Sequence, residues 1–390
     1  MTDGVREAVV AGYAELPNEI GSGRSAYELA GEVTSALLQR MALEAGDIDG
    51  MALTISLSEA TNPFYPSDMC VALGIAPQWL TLSALGGCSA LSGLASAVAA
   101  VDRGACRIAL VLSADAPTTV RRGFAAAWRD EFQAPQAAAR PPAIFGLLMN
   151  RYAHQYGLDE DALAEIAVVQ RRHAMLNDNA LPRLRRPLSI DEYKASRLIA
   201  DPLRMLDCVM FCDGANALLV ASREEAARRG WPRTIVPLAY AEISNPRPAD
   251  PCPDILETGF GALAERLFRQ AKRQPADIGM FQPYDDFTIA VLLQMEQLGF
   301  CERGAGAAYV RATDLSYSGT LPLNTGGGQI SAGQPGMAGG GVNLIEAVRQ
   351  LFGEAGERQA KQRTALVTGI GTIPYGRNWT TSNAMILEAR

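Results

Sequence analysis

Apolar positions along the chain follow two rhythms. Short continuous apolar runs at 9–13, 51–55, 80–83, 107–113 and 213–221 read as strands. A strand apolar on both faces belongs to a sheet covered on both sides. Between these runs the apolar spacing turns helical. Ser25 is placed to cap a helix running to Ala45, with Ala30, Val33, Ala36, Leu37 and Met41 along one face. The spacing predicts further helices over 67–73, 89–101, 143–156 and 160–178. That over 89–101 is Ala-rich and apolar on most faces, which predicts burial.

The pattern then restarts. From about residue 232, Leu263, Leu267, Phe268, Asp277, Ile278 and Met280 repeat the order of Val33, Leu37, Leu38, Asp47, Ile48 and Met51. Ala347-Val348 and Ala365-Leu366-Val367 likewise match Ala97-Val98 and Ala109-Leu110-Val111. This order predicts two similar βαβ-type halves, 1–231 and 232–390, packed together. Residues 115–200 break the first half with Pro-, Ala- and Arg-rich text and two helices, and read as an inserted cap.

The densest local signal is the stretch 323–341, with eight glycines between Gly326 and Gly341. Such density calls for tight turns or close backbone approach. It opens a helix over 342–352, whose N-terminal amides suit an anion. The turn Gly86-Gly87-Cys88 ahead of helix 89–101 is its counterpart, so two helix N-termini are expected to share one cleft.

Composition narrows the class. The chain has 390 residues, 48% apolar and 20% charged, with net charge −7. This is the make-up of a globular protein with a large core. No long basic run appears, which argues against a nucleic-acid partner. The basic clusters Arg121-Arg122, Arg171-Arg172 and Arg183…Arg186 suit either solvated surface or a phosphate-bearing ligand such as coenzyme A. No signal peptide or membrane-length apolar run is seen. Cys208 and Cys212 make a poor zinc pair, so no metal site is expected. The scattered cysteines suggest reduced thiols and a cytoplasmic location.

Several phrases taken together resemble the thiolase superfamily over essentially the whole chain. They are Ile199-Ala200-Asp201-Pro202-Leu203, Asp213-Gly214-Ala215, Tyr284-Asp285-Asp286-Phe287-Thr288, Leu323 to Gly328, Glu346 to Leu351, and Gly369-Ile370-Gly371. The resemblance is closest to the branch of lipid-transfer-protein-type thiolases and steroid side-chain aldolases. It implies an αβαβα layered core of two halves, a homodimer, coenzyme A thioesters as substrate or ligand, and no tightly bound cofactor. It also implies a small zinc-ribbon/OB-fold partner protein.

The usual thiolase chemistry is incomplete in this chain. A thiolase attacks with a cysteine, activates it with a histidine, and moves the α-proton with a second cysteine. Cys88 is close to the nucleophile position, but the usual spacing back from Gly104 falls on Gly87. Cys88 is thus either a nucleophile in a shifted turn or a small buried residue. The histidine's phrase reads Gly333-Gln334-Pro335, and glutamine takes no proton near neutral pH. The second cysteine corresponds to Gly369. The chain has two histidines, His154 and His173, both in helical text and expected at or near the surface.

Tyr284 is the alternative centre. It ends an apolar strand, where ligands of open α/β sheets gather. The resemblance places a tyrosine here in the side-chain aldolases. Tyr284 would act as base and Gln334 would stabilise charge, in C–C cleavage or formation of acyltransferase or retro-aldol type. Cys88 remains a possible third member. Asp285, Asp286, Asn324, Gly327, Gly328, Gly333, Gly371 and Tyr375 would border the substrate. Asp285 and Asp286 also suit helix capping, and Asn324 suits a turn. The competing reading is a catalytically silent acyl-CoA or lipid-binding subunit of a complex with the small partner.

Overall fold

The computed structural model describes residues 7–120, 131, 141–249, 252–374 and 376–390. Eleven strands are formed: β1 (Ala8–Glu15), β2 (Gly50–Thr54), β3 (Trp79–Ser83), β4 (Ile108–Asp115), β5 (Leu198–Ala200), β6 (Leu203–Arg204), β7 (Gly214–Ser222), β8 (Ile235–Ser244), β9 (Met280–Gln282), β10 (Thr364–Ile370) and β11 (Thr381–Ala389). Nine of them form one mixed sheet in the order β3-β2-β4-β7-β1-β8-β11-β10-β9, and β5 and β6 make a small ribbon. A single residue pair, Val10 with Ile235, joins β1 to β8 at the centre. On either side of that joint the orders β2-β4-β7-β1 and β9-β10-β11-β8 mirror one another, with the same parallel and antiparallel pairings.

Alternation along the strands sorts side chains into three cores. On β4, Ile108, Leu110, Leu112 and Ala114 pack under the helix Ala26–Met41. Ala109 and Val111 face a middle layer made by the helices Ser89–Asp102 and Gly339–Phe352. On β10 and β11, Ala365, Val367, Met385 and Leu387 face that same middle layer. Leu366, Ile370, Ala384 and Ile386 pack outward, under the helices Gly259–Ala271 and Thr288–Gln297. The layers therefore run αβαβα, and every residue of β4 is buried because both of its faces are covered.

The repeated phrases are repeated structures. Asp47 and Asp277 each turn back to accept a backbone N–H three residues earlier, from Glu44 (2.9 Å) and Gln274 (2.8 Å). Each turn feeds a strand, β2 and β9. The two central helices are fourteen residues each, and each follows a one-turn 3-10 segment, Gly86–Cys88 and Gly336–Ala338.

Some helix ends differ from the sequence expectation. The first helix starts at a Ser25–Glu28 capping box but stops at Met41, because Ala42 turns left-handed at φ 52°. The helix Tyr65–Leu73 starts two residues early, and Glu160–Met175 ends three residues short of the expected 178. Much of the loop text of the cap, including 121–130 and 132–140, lies outside the described residues. The described part of the cap includes the helices Pro142–Tyr156 and Glu160–Met175, packed beside the second half.

A buried ion cluster ties the glycine stretch to the core. Glu346 is 3% exposed and meets Arg349 at 2.6 Å and Arg358 at 3.1 Å, while Arg349 also meets Glu15 at 2.5 Å. Thr325 and Gln350 donate to the same carboxylate at 2.8 and 2.9 Å. Burial alone would raise the pKa of Glu346, but Arg358 and Arg349 outweigh it and hold the group below its usual range. Removing one member leaves a buried charge uncompensated. Glu346→Ala is expected to cost about 3–5 kcal/mol in urea denaturation. A loss under ~1 kcal/mol would show that the cluster contributes little.

Candidate active site

Tyr284 stands just past the end of β9. Pro283 has no N–H to continue the ladder. The Pro283 carbonyl instead accepts from the side-chain amides of Asn324 (3.2 Å) and Asn343. The Tyr284 N–H donates to Thr368 Oγ1 (2.9 Å), and its carbonyl accepts from Gln294 Nε2 (2.7 Å). Thr368 closes this frame by donating to Gln294 Oε1. One residue of β10, one from each of two helices and the loop residue Asn324 thus fix the Pro283–Tyr284 backbone.

The ring goes where the first half leaves room. A Cβ built on Gly87 would lie 2.2 Å from Tyr284 Cε2, 2.3 Å from Cζ and 2.7 Å from Oη. The phenol therefore fills the space into which a side chain at position 87 would project. Gln334 Nε2 donates to the phenol oxygen at 3.0 Å, and as placed the phenol's own proton has no acceptor among the described residues. Gln334 is itself pinned: its N–H donates to the Met210 carbonyl (2.9 Å), and its carbonyl accepts from the Cys212 N–H (3.1 Å). Both residues are 6% exposed, so the expected open cleft is filled by the ring.

The two central helices do meet here. A Cβ on Gly340 would come within 2.4 Å of the Gly87 carbonyl oxygen, so the backbones touch directly.

Cys88 is fully buried and points elsewhere. Its thiol donates to the Thr381 carbonyl at 3.5 Å, and it makes no hydrogen bond to Tyr284 or Gln334. Burial pushes the thiol well above its usual pKa and Glu242 adds to this, so nothing here favours a thiolate. No histidine assists it. His154 is exposed on its helix. His173 is not near the surface as expected: it is 1% exposed, with Nδ1 donating to the Asn324 carbonyl (3.2 Å) and Nε2 accepting from the Tyr317 N–H (3.0 Å). Those two partners set the tautomer.

Burial lowers the pKa of His173 to about 4, from 6.5. The unfolded chain then takes a proton below pH 6.5 that the folded chain refuses, so stability is lost as pH falls from 6.5 towards 4. Between pH 7 and 5 this group alone is expected to cost about 2 kcal/mol. Urea denaturation of His173→Gln at both pH values should show a fall smaller by that amount. An unchanged fall would exclude His173 as its source.

The two aspartates diverge. Asp285 accepts from the backbone N–H groups of Gln329 (2.9 Å) and Ile330 (3.2 Å) and from Asn343 Nδ2 (2.9 Å). It thus holds the start of the short helix Gly328–Ala332 across the loop, rather than its own following helix. Burial raises it to about 7 against those three donors. Asp286 is partly exposed, but its Oδ1 is enclosed without a partner among the described residues. Burial and then Asp285 push it well above the usual carboxylate range. Burial and then Asp286 raise the Tyr284 phenol in turn, outweighing the Gln334 donation. Tyr284 is therefore protonated at neutral pH. To serve as the base expected from the sequence, the phenol would first have to give up that proton.

The remaining sequence candidates have the following surroundings. Asn324 sits at φ 43° in a turn braced by His173, with Oδ1 buried and unpartnered among the described residues. A Cβ on Gly327 would meet Ala174 (2.6 Å), one on Gly328 the Asp285 carboxylate (2.2 Å), and one on Gly333 Leu181 (2.9 Å). Gly371 lies against the backbone of Thr381 and donates to its carbonyl at 2.8 Å. Tyr375 lies outside the described residues.

Sequence reading missed Gln329, which is 0% exposed with neither amide atom partnered among the described residues. A Cβ on Gly339 would touch both its Oε1 (2.5 Å) and Gln334 Cγ (2.9 Å), so the two side chains are neighbours. A polar residue between glycines and buried apolar neighbours was the available signal. Among the described residues no cluster of His, Cys, Asp and Glu is placed to hold a metal ion.

The chain is similar in sequence to curated proteins and in fold to solved structures. The thiolase C-terminal domain-like family model matches residues 241–388. A steroid side-chain-cleaving aldolase of Thermomonospora curvata is 30% identical over 386 residues, which is 94% of this chain and 96% of that protein. A 17-hydroxy-3-oxo-4-pregnene-20-carboxyl-CoA lyase of Mycobacterium tuberculosis is 28% identical, over 94% and 97%. Among solved structures, an Ltp2-ChsH2(DUF35) aldolase superposes with a TM-score of 0.82 at 27% identity, over 98% of each chain. An SCP2-thiolase-like protein of Mycobacterium smegmatis shares the fold, with a TM-score of 0.71 at 21% identity over 99% of this chain and 77% of that one. With this fold, and with similarity running the length of the first of these relatives, the chain belongs to the thiolase superfamily, close to the steroid side-chain-cleaving aldolases and the SCP2-thiolase-like proteins.

Proposed function

We propose that this protein cleaves a C–C bond in a β-hydroxyacyl-CoA thioester by a retro-aldol step centred on Tyr284. The observation that carries the reading is the phenol in the space of a residue-87 side chain, hydrogen-bonded to Gln334 at 3.0 Å. The names of the aldolase and CoA-lyase relatives support it.

In this step the β-hydroxyl gives up its proton. The Cα–Cβ pair moves onto Cα as the thioester enolate, Cβ becomes a carbonyl, and Cα takes a proton. The products are a ketone or aldehyde and a shortened acyl-CoA. Tyr284, protonated at rest, delivers the proton to Cα. Asp286, whose Oδ1 has no partner among the described residues, accepts the hydroxyl proton in its ionised form. The Gln334 amide orients the phenol, and Gln329 beside it adds a donor for the enolate oxygen. Cys88 forms no acyl-enzyme in this reading.

The proposal includes a small zinc-ribbon/OB-fold partner, supported by the DUF35 component of the structural neighbour. It also includes a homodimer, for which edge strand β3 offers the exposed Leu80 and Leu82. Among the described residues no helix is long and apolar enough to cross a membrane.

The test incubates the purified chain, alone and co-expressed with candidate partners, with β-hydroxyacyl-CoA thioesters, and follows the shortened acyl-CoA by mass spectrometry. Cleavage is expected. Thiolysis of a β-ketoacyl-CoA by free CoA, or tight thioester binding without turnover in either preparation, would overturn the reading. The second outcome would favour a silent binding subunit.

A further inference from the structure

A second polar site lies outside this centre. The loop after β8 and the loop joining β10 to β11 border a cleft lined by Asn245, Arg247, Glu257, Arg377, Asn378 and Trp379, among others. Three consecutive residues of its lining each carry a buried donor with no acceptor among the described residues: Arg377 Nε, Asn378 Nδ2 and Trp379 Nε1. Asn378 is 5% exposed and Trp379 1%. A desolvated donor without an acceptor is unfavourable, and three in a row call for a shared partner.

The acceptors in the cleft are already engaged. Asn378 Oδ1 accepts the Trp379 N–H at 2.8 Å. Asn245 Oδ1 and the Arg247 carbonyl both accept from Arg377 Nη1, at 3.3 and 2.6 Å. The Glu257 carboxylate is held by Arg247 at 2.6 Å and by Arg303. The lining thus presents unused donors and two guanidinium groups against one carboxylate that is already neutralised. The donors are held in place. Trp379 packs near Phe145 (ring centroids 6.5 Å apart) and edge-on to Phe260 (6.1 Å), and the Thr380 N–H donates to the Thr372 carbonyl at 2.8 Å.

We propose that this cleft is an oxyanion subsite, taking a phosphoryl or carboxylate group through Arg377, Asn378 and Trp379. Charge-assisted bonds to such donors are strong and directional. Thr381, two residues beyond Trp379 and the first of β11, accepts from the Cys88 thiol through its carbonyl, so the chain leaving the cleft reaches the Gly86–Cys88 turn. A ligand anchored here would run towards Tyr284. Only that orientation rests on the catalytic reading; the subsite itself does not.

The test titrates the full chain calorimetrically with inorganic phosphate, acetate, CoA, dephospho-CoA and pantetheine, without turnover. Trp379→Phe deletes one donor and keeps the ring. Asn378→Asp keeps the Trp379 cap and replaces the donor with a negative charge. Phosphate is expected to bind the native chain, and each variant to weaken it about tenfold, the equivalent of ~1.4 kcal/mol. CoA binding above inorganic phosphate, lost with pantetheine, would support the subsite and assign it to the phosphates of CoA. Equal binding of phosphate and acetate, weakened in both variants, would support it as a site for a free small anion. No phosphate binding, or the same Kd in native chain and variants, overturns the proposal and leaves the Tyr284 reading standing.

Discussion

Replacing Tyr284 by phenylalanine is expected to lower C–C cleavage by about 10²- to 10⁴-fold, the range for losing a positioned proton donor. The change removes one oxygen and leaves the ring that fills the space beside Gly87. The Pro283–Tyr284 backbone stays held by Thr368, Gln294 and Asn343, so fold and thioester binding should persist. The loss belongs in kcat rather than KM, because the proton moves only in the transition state. Cys88→Ala should leave the rate within a few-fold, since its thiol is spent on the Thr381 carbonyl. Full activity in Tyr284→Phe would remove Tyr284 from the mechanism. A collapse in Cys88→Ala with an intact fold would return the chemistry to the cysteine.

Gly87→Ala is expected to be nearly as damaging, for a steric reason. Its methyl group would lie 2.2 Å from a ring carbon of Tyr284, far inside contact distance. The ring must move, and the frame that holds its backbone resists. Overpacking of this kind costs about 1–3 kcal/mol. Displacing a reacting group by about an ångström costs on the order of 10²-fold in rate. The effect should be specific to the pair. In Gly87→Ala with Tyr284→Ala, the stability loss should be smaller than the sum of the two single losses, because the methyl group enters the space the ring vacates. Strictly additive losses in urea denaturation would mean that the two positions do not compete for one volume.

These two residues show what reading the sequence can and cannot reach. Tyr284 was legible because it follows a strand and sits in a phrase the resemblance recognises. Gly87 was legible as the offset nucleophile position, but not as the residue whose missing side chain admits the tyrosine. That relation spans 197 positions of chain (284 − 87) and exists only after the two halves pack. His173 shows the opposite failure. Its helix is polar enough to suggest surface, yet the ring is buried and both nitrogens are used, by Asn324 at the start of the glycine stretch and by Tyr317 ahead of it. Asp285 caps a helix as its type suggests, but the helix is forty residues further on rather than adjacent (Gln329 against Asp285, 44 positions apart).

The sequence by itself determined the strands of the first half, most of the helices, the repeated order of the two halves and the absence of a histidine from the Gly333-Gln334-Pro335 phrase. Each of these is local: apolar periodicity sets which face is buried, capping residues set helix starts, and a missing histidine is missing in any conformation. The tertiary structure decided which groups meet. It placed the phenol in the position-87 space, turned Cys88 towards Thr381, raised the Tyr284 and Asp286 pKa values by burial, and left three consecutive cleft residues with donors unpartnered among the described residues. Contact and desolvation depend on distances between segments far apart in the chain, and one-dimensional spacing does not carry them.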